Sequence, residues 1–275
     1  TLYLKLLKRF VLLFILGWIV QGNLLKFDSE QFRIFSNTLQ AIAVGYFFSC
    51  ISYIHLTKKW RYFVFVSCLI SYALLLSVTN VPGLGQSELL PDQNLALYID
   101  RFVFGKFDDG TQYTWLLSGF GFTATTLSGI FAGELIKSKH PRKKVAMYLM
   151  IYGIIGLTIG LIWGIWHPIV KKIWTSSFVL ASSGICYLLL AFFYWVIDVK
   201  GKIKWAFPLK VIGSNAITAY VLSHVFNFPK IANYLLFGLE KYLGAYYEVI
   251  NTIGGFGLLY LLLWYMHKNN TFIKI

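Results

Sequence analysis

Charged residues are scarce in this 275-residue chain: they make up 13% of it, against about 25% in an ordinary soluble domain. Acidic residues are especially few, with 11 against 25 basic ones, which gives a net charge of +14. The three cysteines all lie in apolar runs, and their spacing predicts neither a disulfide framework nor a metal site. Hydrophobic residues, by contrast, reach 57%. So much apolar surface excludes an ordinary soluble domain and a disordered chain, and it indicates a membrane protein.

The sequence signatures of common enzymes are also missing. The chain has no Gly-x-Ser-x-Gly nucleophile elbow, no His-Glu-x-x-His zinc motif, no Walker loop and no dinucleotide-binding fingerprint. No tandem hydropathy repeat is visible, which weakens the case for a transporter built on internal symmetry. Candidate functional residues must therefore be sought among the polar side chains that interrupt the apolar runs.

The apolar runs predict an all-α polytopic membrane protein with about eight spanning helices, since a span needs about 20 mostly apolar residues. The runs lie near residues 6–22, 37–56, 61–80, 114–136, 145–166, 174–197, 209–226 and 247–266. Between them we predict an outer loop at about 80–113 and an outer interfacial segment at about 227–247. The whole chain, residues 1–275, is predicted to form a single transmembrane helical domain.

The distribution of charge predicts how these helices are oriented. With the N-terminus in the cytoplasm, the inner segments hold 17 of the 25 basic residues and only two acidic ones. The outer segments hold 8 basic and 9 acidic residues. Cytoplasmic loops of membrane proteins are enriched in Lys and Arg, so both termini are predicted to be cytoplasmic. This asymmetry accounts for the net charge, and no nucleic-acid partner is needed to explain it.

A polar cluster stands at the start of the second predicted span. Arg33, Asn37 and Gln40 are spaced i, i+4 and i+7, which places them on one face of a helix that contains all three. Ionisable and amide groups are costly at membrane depth and often mark a functional site. We predict that this face lines a polar cavity on the outer side. The alternative is a stripe of interhelical hydrogen bonds that only packs the bundle.

Two further polar segments are predicted to lie on the outer side. Asp100 and Arg101 are adjacent, so their side chains point in different directions on any regular element. Lys172 and Ser177 belong to a basic, hydroxyl-rich segment that runs against the overall charge bias. We predict that these four residues complete the rim of the polar cavity. The alternatives are a surface ion pair at Asp100 and Arg101, and snorkelling of Lys172 at the membrane interface.

The seventh predicted span carries Asn215 near its inner end and His224 near its outer end. Nine residues of helix correspond to a turn of about 900°, so the two side chains face opposite ways and share no site on this helix alone. We predict that both bind substrate or cofactor, although a lone histidine at a helix end is more often structural. In the fourth span, small residues at helical spacing predict close helix packing: Ser118, Gly121, Thr125, Gly129 and Ala132.

Five segments, taken in chain order, carry a resemblance to a known family. They are Leu7-Lys-Arg9; Arg33 with Leu39-Gln40 and Gly45-Tyr46; Tyr98-Ile-Asp100-Arg101; Lys172-Ile-Trp174-Thr-Ser-Ser177 with Ile197-Asp198; and Gly213-Ser-Asn215-Ala-Ile. In this order the chain resembles the heparan-alpha-glucosaminide N-acetyltransferase family and its bacterial relatives. It departs from the family pattern at Phe35-Ser36, where Pro-Gly is common, and at Ala41, where a second Arg often stands.

The resemblance implies a membrane-embedded acyltransferase of about ten spans in a bacterial inner (cytoplasmic) membrane. Such an enzyme moves an acetyl group from cytoplasmic acetyl-CoA to an amino sugar or glycan on the outer side, and uses no metal. The family's catalytic histidine lies in an outer loop that precedes the spans present here, so an N-terminal part is expected to be missing. The catalytic role is therefore assigned to none of the five histidines: His55, His140, His167, His224 and His267.

Other functional classes remain open. A non-catalytic transporter or flippase for a sugar or a lipid-linked sugar would show the same polar stripes without a catalytic histidine. An O-acyltransferase acting on envelope glycans is a third possibility. Besides the sugar or glycan acceptor, the expected partners are membrane lipid and, as a further possibility, other copies of the chain in a homo-oligomer.

Overall fold

The computed structural model describes residues 2–22, 32–83, 85–86 and 89–273. Of the described residues, 76% are helical. Four helical stretches in the described part are long and apolar enough to cross a membrane: Lys58–Val78, Arg142–Trp163, Ser176–Val199 and Phe228–Lys268. The predicted all-α class is therefore confirmed, and the helices are consistent with a membrane protein. The count of eight spans and the N-in, C-in orientation stay predictions.

Twelve α-helices are present in the described residues, and the longer ones coincide with the predicted apolar runs. In chain order they are α1 Leu2–Gln21, α2 Thr38–His55, α3 Lys58–Val78, α4 Leu95–Phe104, α5 Gly119–Ile136, α6 Arg142–Trp163, α7 Ser176–Tyr194, α8 Phe207–Ser214, α9 Ala216–Val225, α10 Phe228–Leu236, α11 Glu240–Leu243 and α12 Tyr247–Lys268.

Short irregular elements join these helices. Two strands, β1 Asn80–Val81 and β2 Gly85–Gln86, form an antiparallel ladder within the predicted outer loop. Single 3₁₀ turns span Gly105–Phe107, Lys204–Ala206, Phe237–Leu239 and Gly244–Tyr246, and a π-helical turn, Trp195–Val199, extends α7.

Several helices begin where the local sequence supplies a cap for their unpaired N–H groups. Asn37 caps α2 in a capping box with Gln40, Asn94 caps α4, and Thr175 caps α7. In each case the side-chain oxygen accepts a hydrogen bond from a backbone N–H of the first turn, an arrangement that contributes about 1 kcal/mol. The starts of these helices are therefore specified locally.

The described residues divide into two compact units, each with its own packing. The first comprises 2–17 and 32–201, and the second comprises 18–22 and 202–273. The prediction of a single transmembrane domain is not tested by this division.

Within the first unit, glycines allow helices to approach closely. A Cβ added to Gly160 of α6 would lie 2.4 Å from the backbone nitrogen of Ala181 in α7, and one added to Gly184 would lie 2.4 Å from the backbone nitrogen of Leu157. Between α2 and α5, a Cβ on Gly45 would lie 2.6 Å from the carbonyl oxygen of Phe122. Small residues are the usual means of close helix packing where lipid provides no hydrophobic driving force.

The small-residue stripe predicted on α5 packs along only part of its length. A Cβ on Gly121 would lie 2.8 Å from the carbonyl oxygen of Trp174, whose indole Nε1 donates to Thr125 Oγ1 at 3.0 Å. Ser118 is also buried and hydrogen-bonded. At Gly129, however, an added Cβ would meet nothing within 4 Å. Ala132, near the end of α5, is buried against Val145 and Leu149. The packing prediction therefore holds at both ends of the stripe and fails at Gly129.

The second unit contains a helix break that the apolar pattern does not reveal. Residues 209–226 are predicted as one span, but the helix is not continuous, because it stops at Ser214 and restarts at Ala216. Asn215, between them, has φ −131° and ψ 41°, outside the helical range. Around the break, Val211, Ala219 and Leu263 form a small buried cluster.

Candidate functional site

Three connecting segments of the first unit are joined by hydrogen bonds; we call residues 32–37, 105–118 and 167–177 the loop layer. The backbone N–H of Ile34 donates to Phe107 O at 3.2 Å, which joins the first segment to the second. The backbone N–H of Thr114 donates to Lys172 O at 3.1 Å, which joins the second to the third. Residues far apart in sequence are thereby brought together in one polar layer.

The cluster before α2 differs from its prediction. The prediction that Arg33, Asn37 and Gln40 share one helix face is wrong, because α2 begins at Thr38 and Asn37 is its N-cap. Gln40 is fully buried: its Oε1 accepts from the backbone N–H groups of Ser36 at 2.7 Å and Asn37 at 3.1 Å. The two amides thus close the start of the helix. A binding role for them stays a prediction.

Arg33 lies before the cap, at the surface of the loop layer. Its guanidinium donates to Lys106 O at 2.7 Å. This bond adds a second link between the first two segments of the layer. Arg33 is half-buried, so part of the cation stays accessible from outside the protein.

Asp100 and Arg101 lie on α4 and point in different directions, as predicted. Asp100 is fully buried, whereas Arg101 is exposed. The Asp100 carboxylate accepts from the backbone N–H groups of Trp115 at 2.6 Å and Leu116 at 3.0 Å. Burial raises the pKa of this carboxyl to about 7, although the two hydrogen bonds oppose the shift. Asp100 therefore fixes the turn before α5 and titrates near neutral pH.

The third segment of the loop layer holds both Lys172 and Ser177. The Lys172 ammonium donates to Gln112 Oε1, and the rest of its side chain is exposed. Ser177 is buried, and its hydroxyl donates to Pro168 O at 3.1 Å, beside a similar bond from Thr175 at 2.9 Å. Lys172 is therefore accessible at the surface, while Ser177 holds the segment in shape.

A backbone feature of this segment escaped the sequence analysis. Trp174 has φ +51°, a region that bulky side chains rarely adopt. A hydroxyl cluster holds the neighbouring carbonyl, since Tyr72 and Ser118 both donate to Ile173 O. Strained backbone that is held by its surroundings is a feature of functional sites. No sequence signal marks it, because tryptophan is not a residue that favours positive φ.

His167 is a second residue that the sequence analysis did not single out. It is 3% exposed, and neither ring nitrogen has a hydrogen-bond partner within the described residues. Burial lowers its pKa, so the ring is neutral near pH 7. Its ring lies 5.9 Å from that of Trp163. Burying a polar group without a hydrogen-bond partner costs free energy, so His167 is an exception that calls for an explanation.

The remaining two predicted residues belong to the second unit. Asn215 is buried, and its amide accepts from the backbone N–H of Ile273 and donates to Thr271 O, both at 3.1 Å. It therefore ties the helix break to the residues that follow α12. His224 is exposed in the last turn of α9, with Nδ1 2.9 Å from Tyr220 O and its ring 4.3 Å from the ring of that tyrosine.

A groove of about 600 Å³ lies within the first unit, between α3, α5, α6 and α7. Tyrosine, phenylalanine and serine side chains line it, and Lys58 and His140 stand at the end where α3 begins and α5 ends. The volume falls in the range of sites for small molecules. None of the predicted binding residues lines this groove.

Comparisons with known proteins add no family assignment: no protein-family model and no curated protein matches this chain. Within the described residues, no three His, Cys, Asp or Glu side chains come together as metal ligands. The loop layer and the groove are the two candidate sites of the first unit.

Proposed function

We propose that the chain is a membrane-embedded acyltransferase that moves an acetyl group from cytoplasmic acetyl-CoA to an amino sugar or glycan on the outer side. One observation carries the proposal most directly. Hydrogen bonds connect residues 105–118 to each of the three polar segments that were predicted to act together, through Arg33, Asp100 and Lys172. Of the cations in this arrangement, Lys172 is exposed and Arg33 is half-buried. Accessible cations beside buried, hydrogen-bonded polar groups suit the positioning of a polar acceptor.

The proposal includes the finer topology of about eight spans with both termini in the cytoplasm of a bacterium. Support comes from the ends of the helices in the first unit. The basic end, where α3 and α6 begin, carries Lys58, Lys59, Arg142, Lys143 and Lys144. The loop layer instead carries a mixture of basic and acidic side chains, including Asp108 and Asp109. A basic inner side and a mixed outer side are the expected pattern.

Acyl transfer needs a group that accepts a proton from the attacking amine or hydroxyl, together with donors that stabilise the developing oxyanion. Arg33, Arg101 and Lys172 would hold the acceptor at the loop layer. Asp100, whose pKa lies near 7, would hold the turn that leads into α5 and thereby fix the positions of these cations relative to one another. No catalytic residue is assigned. Asn215 and His224 stay predicted binding residues in the second unit.

The test is an acetyl-transfer assay with the purified full-length protein in lipid vesicles, labelled acetyl-CoA and a panel of amino sugars and glycans. Lys172→Ala should lower the rate about tenfold or more, the effect of losing one hydrogen bond from a charged group. Lys171→Ala is the matched control, because this neighbouring lysine is also exposed. The proposal is wrong if the unaltered protein acetylates no acceptor, or if the two lysine variants lose activity equally.

A transporter or flippase for a sugar or a lipid-linked sugar is the second candidate. The observation in its favour is the groove of the first unit, because its wall residues Ile155 and Ile159 are each 48% exposed and open the groove to the side. Transport of a labelled lipid-linked sugar across the vesicle membrane, without acetylation of any acceptor, would favour this candidate.

A further inference from the structure

The groove of the first unit has the length of one membrane leaflet. Its α6 wall is formed by Tyr148, Tyr152, Ile155 and Ile159, which are spaced i, i+4, i+7 and i+11 and so lie on one face. At 1.5 Å per residue this face is about 16 Å long. The hydrocarbon core of a bilayer is about 30 Å thick. A single acyl chain that enters from one surface would therefore run along the whole wall.

The α6 wall consists of two isoleucines and two tyrosine rings, so most of its surface is hydrocarbon, and it is accessible. Tyr152, Ile155 and Ile159 are about half exposed, at 53%, 48% and 48%. On the opposite side, the rings of Tyr62 and Phe131 pack against each other, with centroids 4.4 Å apart. Both rings line the groove. An acyl chain would lie between this aromatic pair and the side chains of α6.

The mouth of the groove carries an excess of positive charge. Lys58 and Glu134 both line the groove, but Glu134 is paired with Arg61 at 2.7 Å. The ammonium of Lys58 is free of that pair and lies 5.9 Å from the ring centre of Tyr62. His140 also lines the groove here, within a basic segment whose exposed members are Lys137, Lys139, Arg142, Lys143 and Lys144.

The helix ends add to this charge. Helices α3 and α6 both begin at the mouth, at Lys58 and Arg142. The first N–H groups of a helix have no partner within the helix and carry a partial positive charge, which favours a nearby anion. Neither helix has a side-chain hydrogen bond at its N-cap.

We propose that the groove is a binding site for a membrane lipid with an anionic phosphate headgroup. The phosphate lies at the mouth, near Lys58 and His140, and one acyl chain lies along the α6 wall. The charge at the mouth selects an anionic headgroup over a zwitterionic one. The half-exposed apolar wall favours an acyl chain over the nucleotide of a coenzyme. This site is separate from the loop layer, and it does not depend on the acyltransferase proposal.

The test uses the purified chain, stripped of lipid and then equilibrated with vesicles that contain equal amounts of phosphatidylglycerol and phosphatidylcholine. Lipid retained after re-isolation is measured by mass spectrometry. We expect the protein to retain phosphatidylglycerol preferentially. Lys58→Ala should weaken this retention about fivefold, the usual effect of one basic residue near an anionic membrane surface. Lys59→Ala, which removes the same charge from the neighbouring position outside the groove, should leave it nearly unchanged.

A second pair of variants tests the chain-binding wall. Ile159→Trp places a large ring in the groove and should reduce the retention of both lipids, whereas Ile162→Trp on the same helix lies outside the groove and should not. Helical content by circular dichroism shows that each variant is folded. The proposal is overturned if the lysine variants behave alike, if both lipids are retained equally, or if inorganic phosphate or acetyl-CoA displaces the bound lipid.

Discussion

The contact between α6 and α7 gives the sharpest test of how the first unit is packed. Gly160→Ala adds one methyl group, and its carbon would lie 2.4 Å from the backbone nitrogen and 2.8 Å from the Cα of Ala181. Both are main-chain atoms, so no side-chain rotation relieves the clash. The helices must separate by about 1 Å, and a gap of that size forfeits a quarter to a half of the dispersion energy of the contacts it opens.

The magnitude follows from two opposing terms. Overpacking of this kind costs about 1–3 kcal/mol, and a clash with backbone belongs at the upper end of that range. Replacing glycine by alanine inside a helix returns up to about 1 kcal/mol of helix propensity. Gly160→Ala should therefore lower the free energy of unfolding by about 1–2 kcal/mol. Gly129→Ala makes the same change on α5, where an added Cβ meets nothing within 4 Å, and should leave stability unchanged or raise it.

The two variants are to be compared by reversible unfolding in mixed detergent micelles, followed by circular dichroism. A difference of about 2–3 kcal/mol between them is expected from the two terms. If Gly160→Ala is as stable as Gly129→Ala, helices α6 and α7 do not pack as closely as described, and the reasoning is refuted.

Two further predictions concern buried polar groups. The pKa of Asp100 is raised to about 7, so the folded state holds this proton more tightly than the unfolded state; its contribution to stability is present below about pH 4 and lost as pH rises through 7. In the Asp100→Asn variant, the unfolding midpoint should depend less on pH between pH 4 and 7 than in the unaltered protein. The same pH dependence in both proteins would contradict this. Tyr72→Phe removes the donor to Ile173 O and should cost about 1–3 kcal/mol in the same unfolding assay, whereas a loss of a few tenths would show that the bond contributes little.

The start of α2 shows how one pattern supports two structures. The spacing of Asn37 and Gln40 fits a continuous helix face, and it also fits the capping box that is present. Periodicity alone does not distinguish them, because a cap and a first turn use the same spacing. What separates them is the path of the preceding residues, which Arg33 and Ile34 fix by bonding to the segment around residue 106.

The apolar runs were enough to predict a helical, apolar protein, and they located most of its long helices to within a few residues of the observed ends. These features depend on residues that are close along the chain: apolar runs, caps and the density of charge. The break at Asn215 was not predicted because the apolar run continues across it, although Gly213 and Ser214 before it are poor helix formers. The Asn215 side chain bonds to the backbone of Thr271 and Ile273, which are distant in sequence.

Which polar residues lie close together depends on the tertiary structure and could not be predicted from the sequence. The burial of Asp100 beside the N–H groups of residues 115 and 116, the positive φ of Trp174 and the isolation of His167 all arise from segments brought together by folding. The same holds for the groove, whose walls come from four helices. A linear pattern records the spacing within each helix, but the distance between helices depends on the packing of every side chain in between.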